Sequence, residues 1–304
     1  MRPKDWWIAF ATLSLLALLP ILLPVSPPFF DVPNHLARAV ILSRYDHSPF
    51  YQELFRPNWR VLPNLAMDVL LLGLCRLFAP LIAVKILLSF AALFMASGFA
   101  ALHRQIYGHL SRIGLAGFGL IYTLSFFMGF MNFSLGVGCL YWTVALYLSL
   151  DRAPRPVRVA VLTGFLFITF FAHAVAFVFT GLFGILIAYR GQRRVVYEWG
   201  IALACPIALF LIFSPTVSEA GTLVFRPLLF KGVAIGNLWR SGFLGLDLVV
   251  APALLVGLGL MLLGNRGHFP RFARPLILTC IGLFLLLPFG GKAGQVLDTR
   301  IPLF

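Results

Sequence analysis

The chain has 304 residues, of which 61% are hydrophobic and only 11% charged, with a formal net charge of +14. A soluble domain is nearer half apolar and a quarter charged, so the composition excludes one and points to a polytopic helical membrane protein. The apolar runs are continuous rather than alternating over ~10 residues, which excludes a β-barrel. The positive charge does not signal nucleic acid, because the arginines fall in short tracts between apolar runs, where they set membrane orientation.

In chain order, a short basic lead (Arg2, Lys4) and Trp6-Trp7 precede an apolar run over 8–25, about long enough to span at ~20 residues. Pro20, Pro24 and Pro27-Pro28 stand where a signal-peptide cleavage site would need small residues, so the run is read as a retained helix. Residues 26–64 are polar, mixed in charge and rich in aromatics. Within them Val32, Leu36, Ala39 and Val40 recur at helical spacing, which predicts an amphipathic helix on the membrane surface. Residues 65–79 are apolar but short, and are interrupted by Asp68 and Arg76; residues 81–102 make a full span.

Basic clusters then recur at Arg104 to Arg112, at Arg152, Arg155 and Arg158, at Arg190, Arg193 and Arg194, and at Arg266, Arg271 and Arg274. The stretch between the first two clusters is long enough for two helices of ~20 residues, with a hairpin tip near Gly129-Phe130-Met131-Asn132. Residues 159–189 read as two short spans with a tip near His173, and further spans are expected over 195–213, 246–264 and 275–289. If the N-terminus and all four basic clusters are cytoplasmic, residues 26–64, 214–245 and 290–304 face the other side. The segment 65–79 must then lie on or in the outer leaflet. The expectation is one transmembrane domain over 1–304, an all-α bundle of about nine spans. It carries a first external loop over 26–80 with surface helices, and a second over 214–245. Asp31, Asp46, Glu53, Asp68, Glu219, Asp247 and Asp298 then gather on the outer face.

The four cysteines (Cys75, Cys139, Cys205, Cys280) stand singly in apolar segments and form neither a disulfide nor a metal framework. No Walker A, H-E-x-x-H or G-x-S-x-G pattern is present.

The motif Pro27-Pro28-Phe29-Phe30-Asp31-Val32-Pro33-Asn34-His35-Leu36-Ala37-Arg38, followed by Leu62 to Asp68 (LPNLAMD), together with this loop and span order, resembles the GT-C fold of membrane glycosyltransferases. That class includes protein O-mannosyltransferases and aminoarabinose transferases, and the motif is most similar to GT-C-like bacterial integral membrane proteins. The resemblance implies a bacterial inner-membrane enzyme active outside the cytoplasm. Such an enzyme moves a sugar from a polyprenyl-phosphate donor to a lipid, glycan or protein acceptor, with inversion. Asp31 stands alone where relatives often carry two adjacent acids, and Leu62-Pro63-Asn64 replaces a basic-Pro-Pro segment. The chain also stops at Asp298–Phe304 on what reads as the approach to another span, so a C-terminally truncated or degenerate member is expected.

Sugar transfer requires the acceptor hydroxyl to lose its proton as the glycosidic bond forms, and the resemblance implies that Asp31 is the base. Its alternative is an N-cap for a helix starting around Pro33. The departing phosphate calls for cations, for which Arg38, Arg226, Lys231, Arg240 and Arg300 are the external candidates. His35 falls one turn after Asp31 and shares its face. Asn132 is a candidate for acceptor hydroxyls, or else a helix cap, and His173 is an ionisable residue in an apolar tract, a site candidate by that fact. A divalent metal normally takes three or four ligands, and the only group that could supply them is Asp31, His35 and Asp46. Two competing readings are a secondary transporter, which would show paired broken helices in two halves, and a non-catalytic membrane protein derived from a transferase.

Overall fold

A computed structural model describes residues 2–189, 191–213 and 272–286, with isolated positions between 224 and 295. Eleven α-helices can be followed among the described residues: α1 (Pro3–Leu22), α2 (Val32–Arg44), α3 (Pro49–Leu54), α4 (Ala66–Leu77), α5 (Pro80–Tyr107), α6 (Leu124–Phe127), α7 (Met131–Ser149), α8 (Arg155–Ala172), α9 (Ala174–Ala188), α10 (Arg193–Phe213) and α11 (Ala273–Leu286). Short 3-10 helices cover Tyr45–His47 and Arg112–Leu120, and the only strands described are a two-residue antiparallel pairing of Gly290–Gly291 with Gly294–Gln295. The described residues are therefore overwhelmingly α-helical, as expected of an all-α chain.

Five of these helices are long and apolar enough to cross a membrane: α1, α5, α7, α8 and α10. The apolar α9 and α11 are shorter. Most of the expected second external loop, the span over 246–264 and the tail over 296–304 lie outside the described residues.

The helices alternate in direction between two ends of a bundle. The Lys85 ammonium near the start of α5 donates to the Leu22 carbonyl at the end of α1 (2.9 Å), and the Trp6 indole at the start of α1 donates to Ser111 just past α5 (2.8 Å). Burial ranks the members: 78% of the apolar window of α7 is buried against 11% of that of α1, so α7 is the central post and α1 a peripheral one. Close packing around α7 depends on missing side chains. A Cβ at Gly138 would lie 2.6 Å from Phe94 on α5, and one at Gly136 would lie 2.6 Å from Ala176 on α9. In hydrocarbon, where apolar transfer gives no driving force between helices, such close approach supplies the van der Waals contact that holds them.

One expectation needs correction. The first of the two helices predicted between Arg112 and Arg152 is not a long α-helix. It is the Arg112–Leu120 3-10 helix followed by the four-residue α6. This stretch nevertheless runs the whole length of α1: Phe118 packs edge-on against Phe10 (5.0 Å), the Tyr122 hydroxyl donates to the Ala17 carbonyl (2.5 Å), and Phe30 N–H donates to Phe127 (3.0 Å). A 3-10 helix rises about 2.0 Å per residue against 1.5 Å for an α-helix, so the tighter coil covers the distance with fewer residues. Gly117 lets it press against α5, since a Cβ there would lie 2.9 Å from Phe99.

Two other expectations hold in the structure. The chain turns between α6 and α7 at Met128–Phe130, and α8 gives way to α9 at His173, whose extended backbone (φ −163°, ψ 127°) interrupts the helix.

Candidate functional site

The site is built at the end of the bundle where α1 finishes. The chain leaves α1, and the backbone N–H groups of Phe30 and Asp31 are caught by the carbonyls of Phe127 (3.0 Å) and Met128 (3.1 Å). Gly129 makes this contact possible twice over. Its φ of +78° is in the left-handed region that favours glycine, and a Cβ there would lie 2.8 Å from the Asp31 nitrogen. Asp31 is thus fixed by backbone before its side chain does anything.

Asp31 occupies the N-cap position of α2, yet its carboxylate makes no capping bond to the helix backbone. Instead Oδ1 accepts from the Asn34 amide (2.9 Å) and Oδ2 lies 3.0 Å from His35 Nε2. The capping alternative therefore describes where Asp31 stands but not what its side chain contacts. The helix start is formed instead by Pro33, whose fixed φ suits the first turn.

A chain of contacts runs on from His35. Arg38 Nη2 lies 2.7 Å from His35 Nδ1, and Arg38 Nε lies 2.9 Å from Asp68 Oδ1. A guanidinium can only donate, so Nδ1 must accept, and the neutral ring then carries its proton on Nε2, facing Asp31. Burial is the main influence that lowers the His35 pKa below its ordinary value; Asp31 opposes it and Arg38 reinforces it. The tautomer that satisfies both contacts is therefore also the charge state that burial favours. The four side chains alternate as acid, neutral imidazole, cation and acid.

Two asparagines position the other wall. Asn132, in the first turn of α7, accepts from Met67 N–H (2.8 Å) and donates to the Asn64 carbonyl (2.7 Å). Asn64 in turn accepts from Ala174 N–H (3.3 Å) and has φ +67°. The first turns of α4 and α9 have no side-chain cap of their own, so these amides cap them from other elements, each cap worth about 1 kcal/mol. Asn132 caps a helix, one of its two expected roles, and the helix is α4 rather than its own. His173 packs edge-on to Phe133 (5.2 Å) at the α8–α9 break.

Asp31, His35, Arg38, Asn64, Asp68, Asn132 and His173 line one open cleft of about 290 Å³. The expected residues Asp31, His35, Arg38, Asn132 and His173 are thus neighbours. Asp68 was legible only as an outer-face acid and Asn64 only as part of a motif; neither spacing showed that α4 packs on α2. Among the described residues no group of three metal-ligating side chains is placed to hold an ion. Asp46 lies in the 3-10 turn beyond the far end of α2, about 20 Å along a 13-residue helix from Asp31. The Asp31–His35–Asp46 metal set is therefore not assembled. Arg226, Arg240 and Arg300 lie outside the described residues. Lys231 is buried, and its ammonium donates to the Phe284 (2.6 Å) and Leu285 (3.0 Å) carbonyls at the end of α11, where the negative end of the helix favours a cation.

A second, less polar cleft of about 530 Å³ adjoins the first, with Arg38 and Asp68 in both walls and Ile41, Leu42, Phe55 and Trp59 beyond. The chain matches no protein-family model, no curated protein and no solved structure.

Proposed function

We propose that the chain is a GT-C-like membrane glycosyltransferase, taking a sugar from a polyprenyl-phosphate donor at the extracytoplasmic face of a bacterial inner membrane. The observation that carries this reading is the cleft in which Asp31, His35 and Arg38 stand together with Asn132 and His173. The acceptor oxygen attacks the anomeric carbon, its proton passes to Asp31, and the bond from that carbon to the phosphate oxygen breaks with inversion. Each Asp31 oxygen already accepts one hydrogen bond, and each has a second lone pair with which to take the acceptor proton.

Arg38 suits the leaving phosphate. Asp68 and His35 engage its Nε and Nη2, which leaves the Nη1 edge for an oxyanion, and its side chain is half exposed. The basic ends of α5, α8 and α10 would be cytoplasmic by the positive-inside rule. A reporter fused after Arg194 should then read as cytoplasmic, and a periplasmic signal would break the arrangement.

The decisive experiment is Asp31→Asn in a strain where deleting the gene changes the cell-envelope glycans. The variant should fold normally, because Asn retains one carbonyl acceptor, and should reproduce the deletion phenotype. Unchanged glycans would sink the assignment.

A further inference from the structure

A cleft of about 930 Å³ lies at the opposite end of the bundle from Asp31 and has no part in the chemistry above. Its lining includes Trp7, His103, Arg104, Tyr107, His109 and Arg112. We infer that this cleft is a binding site for an anionic phospholipid, with the headgroup phosphate between Arg104 and Arg112 and the acyl chains along α1.

The walls are fixed. Gly108, with φ +75°, ends α5 in a left-handed turn and sends the chain back over residues 108–111. That turn is pinned from two sides: Trp6 donates its indole N–H to the Ser111 carbonyl (2.8 Å), and the Ser111 hydroxyl pairs with His103 Nε2 (3.1 Å). His103 also stacks on Tyr107 with ring centres 4.7 Å apart. The two arginines are therefore held at either end of one anchored turn, facing the same cleft.

Their charge is uncompensated. Neither Arg104 nor Arg112 has an acidic partner among the described residues, and the one acid near this end in α1, Asp5, is held by Arg2 at 2.8 Å. A cleft with two unneutralised guanidiniums calls for an anion, and paired N–H donors suit a phosphate.

The surroundings decide between a lipid and a soluble anion. α1 is the least buried of the five long helices, and Trp7, Ile8, Leu15, Leu16 and Leu19 are exposed along it. The cleft thus opens onto an apolar helix face beginning with an indole, a residue that favours the headgroup level. Basic pockets between helices at the membrane lip recognise acidic lipid headgroups in this way. A zwitterionic headgroup would bring an ammonium towards the same two arginines.

The test uses the full chain in discs of phosphatidylcholine with or without phosphatidylglycerol, followed by native mass spectrometry of the released protein. The wild type should retain phosphatidylglycerol in preference to phosphatidylcholine. Arg104→Gln and Arg112→Gln should each weaken that preference about fivefold, as expected for one cation near a lipid surface. Arg152→Gln, which removes an exposed charge off the cleft, should leave it unchanged. Thermal melting in phosphatidylcholine alone separates lost binding from lost folding. The inference is overturned if both cleft variants melt normally yet retain the preference. It is overturned equally if Arg152→Gln matters as much, or if inorganic phosphate displaces the lipid and so marks a soluble-anion site. Its outcome is independent of Asp31 and of the transferase reading.

Discussion

At one end of the bundle the paired Arg158 and Glu198 side chains are 9% and 1% exposed, while at the other Arg38 and its partner Asp68 keep 51% and 13%, and the neighbouring Asp31 keeps 35%. Both regions pair arginine with carboxylate, and they differ in what is left over. Arg158 grips both Glu198 oxygens, Tyr147 donates a further bond to the same carboxylate (2.8 Å), and the remaining Arg158 nitrogen donates to the Ala153 carbonyl. Both carboxylate oxygens and all three guanidinium nitrogens there already have a protein partner. The cluster locks the starts of α8 and α10 to the end of α7. In the Asp31 cleft the Asp31 carboxylate and the Arg38 guanidinium are each held by two contacts and keep further lone pairs or N–H groups beyond them. Satisfied charge at one end acts as a fastener, and partly satisfied charge at the other is what a site needs.

The comparison is most exposed to Glu198→Ala. Leaving Arg158 buried without its partner should cost about 3–5 kcal/mol, seen as a large drop in thermal stability in detergent. A loss below about 1 kcal/mol, the range of an exposed pair, would show that the cluster is no fastener. Next in size is Gly129→Ala, which puts a Cβ against the Asp31 nitrogen at a positive φ. About 1–3 kcal/mol of strain is expected, and because the strain falls on Asp31, the proposed transfer activity should fall further than stability does.

Asn132→Ala removes the α4 cap and the bond to Asn64 together, for about 1–2 kcal/mol. Asn132→Asp keeps the acceptor for Met67 and should recover part of that loss in the same melting assay. The smallest effect is on pH. The His35 pKa lies below its ordinary 6.5 in the folded chain, so just below that pH the unfolded chain binds more protons than the folded one. Stability should therefore be full above pH 6.5 and decline as pH falls through it. Protonation would also set two donors, Arg38 and His35 Nδ1, against each other. His35→Gln should flatten that part of the profile; an unchanged slope would remove His35 from the network.

Much of this was legible in the amino-acid sequence. Continuous apolar runs between arginine clusters determined an all-helical membrane protein, because a bilayer leaves backbone groups no partner but the helix itself. The interruption at His173 and the turn before Asn132 could be placed because a polar group breaks an apolar run. The face shared by Asp31 and His35 followed from spacing along one helix, which depends only on local geometry.

What came from elsewhere in the chain was not legible. The Arg112–Leu120 stretch has the composition of a membrane helix, and only its packing between α1 and α5 selected the tighter coil. Asp68 became the partner of Arg38, and Asn64 and Asn132 became caps for α9 and α4, because of where separate helices meet. Local propensity specifies what a segment can form and which residues share its face. Which faces then touch is settled by close packing and by the demand that buried polar groups find partners, and for this protein that decision turned a row of polar residues on α2 into a cleft.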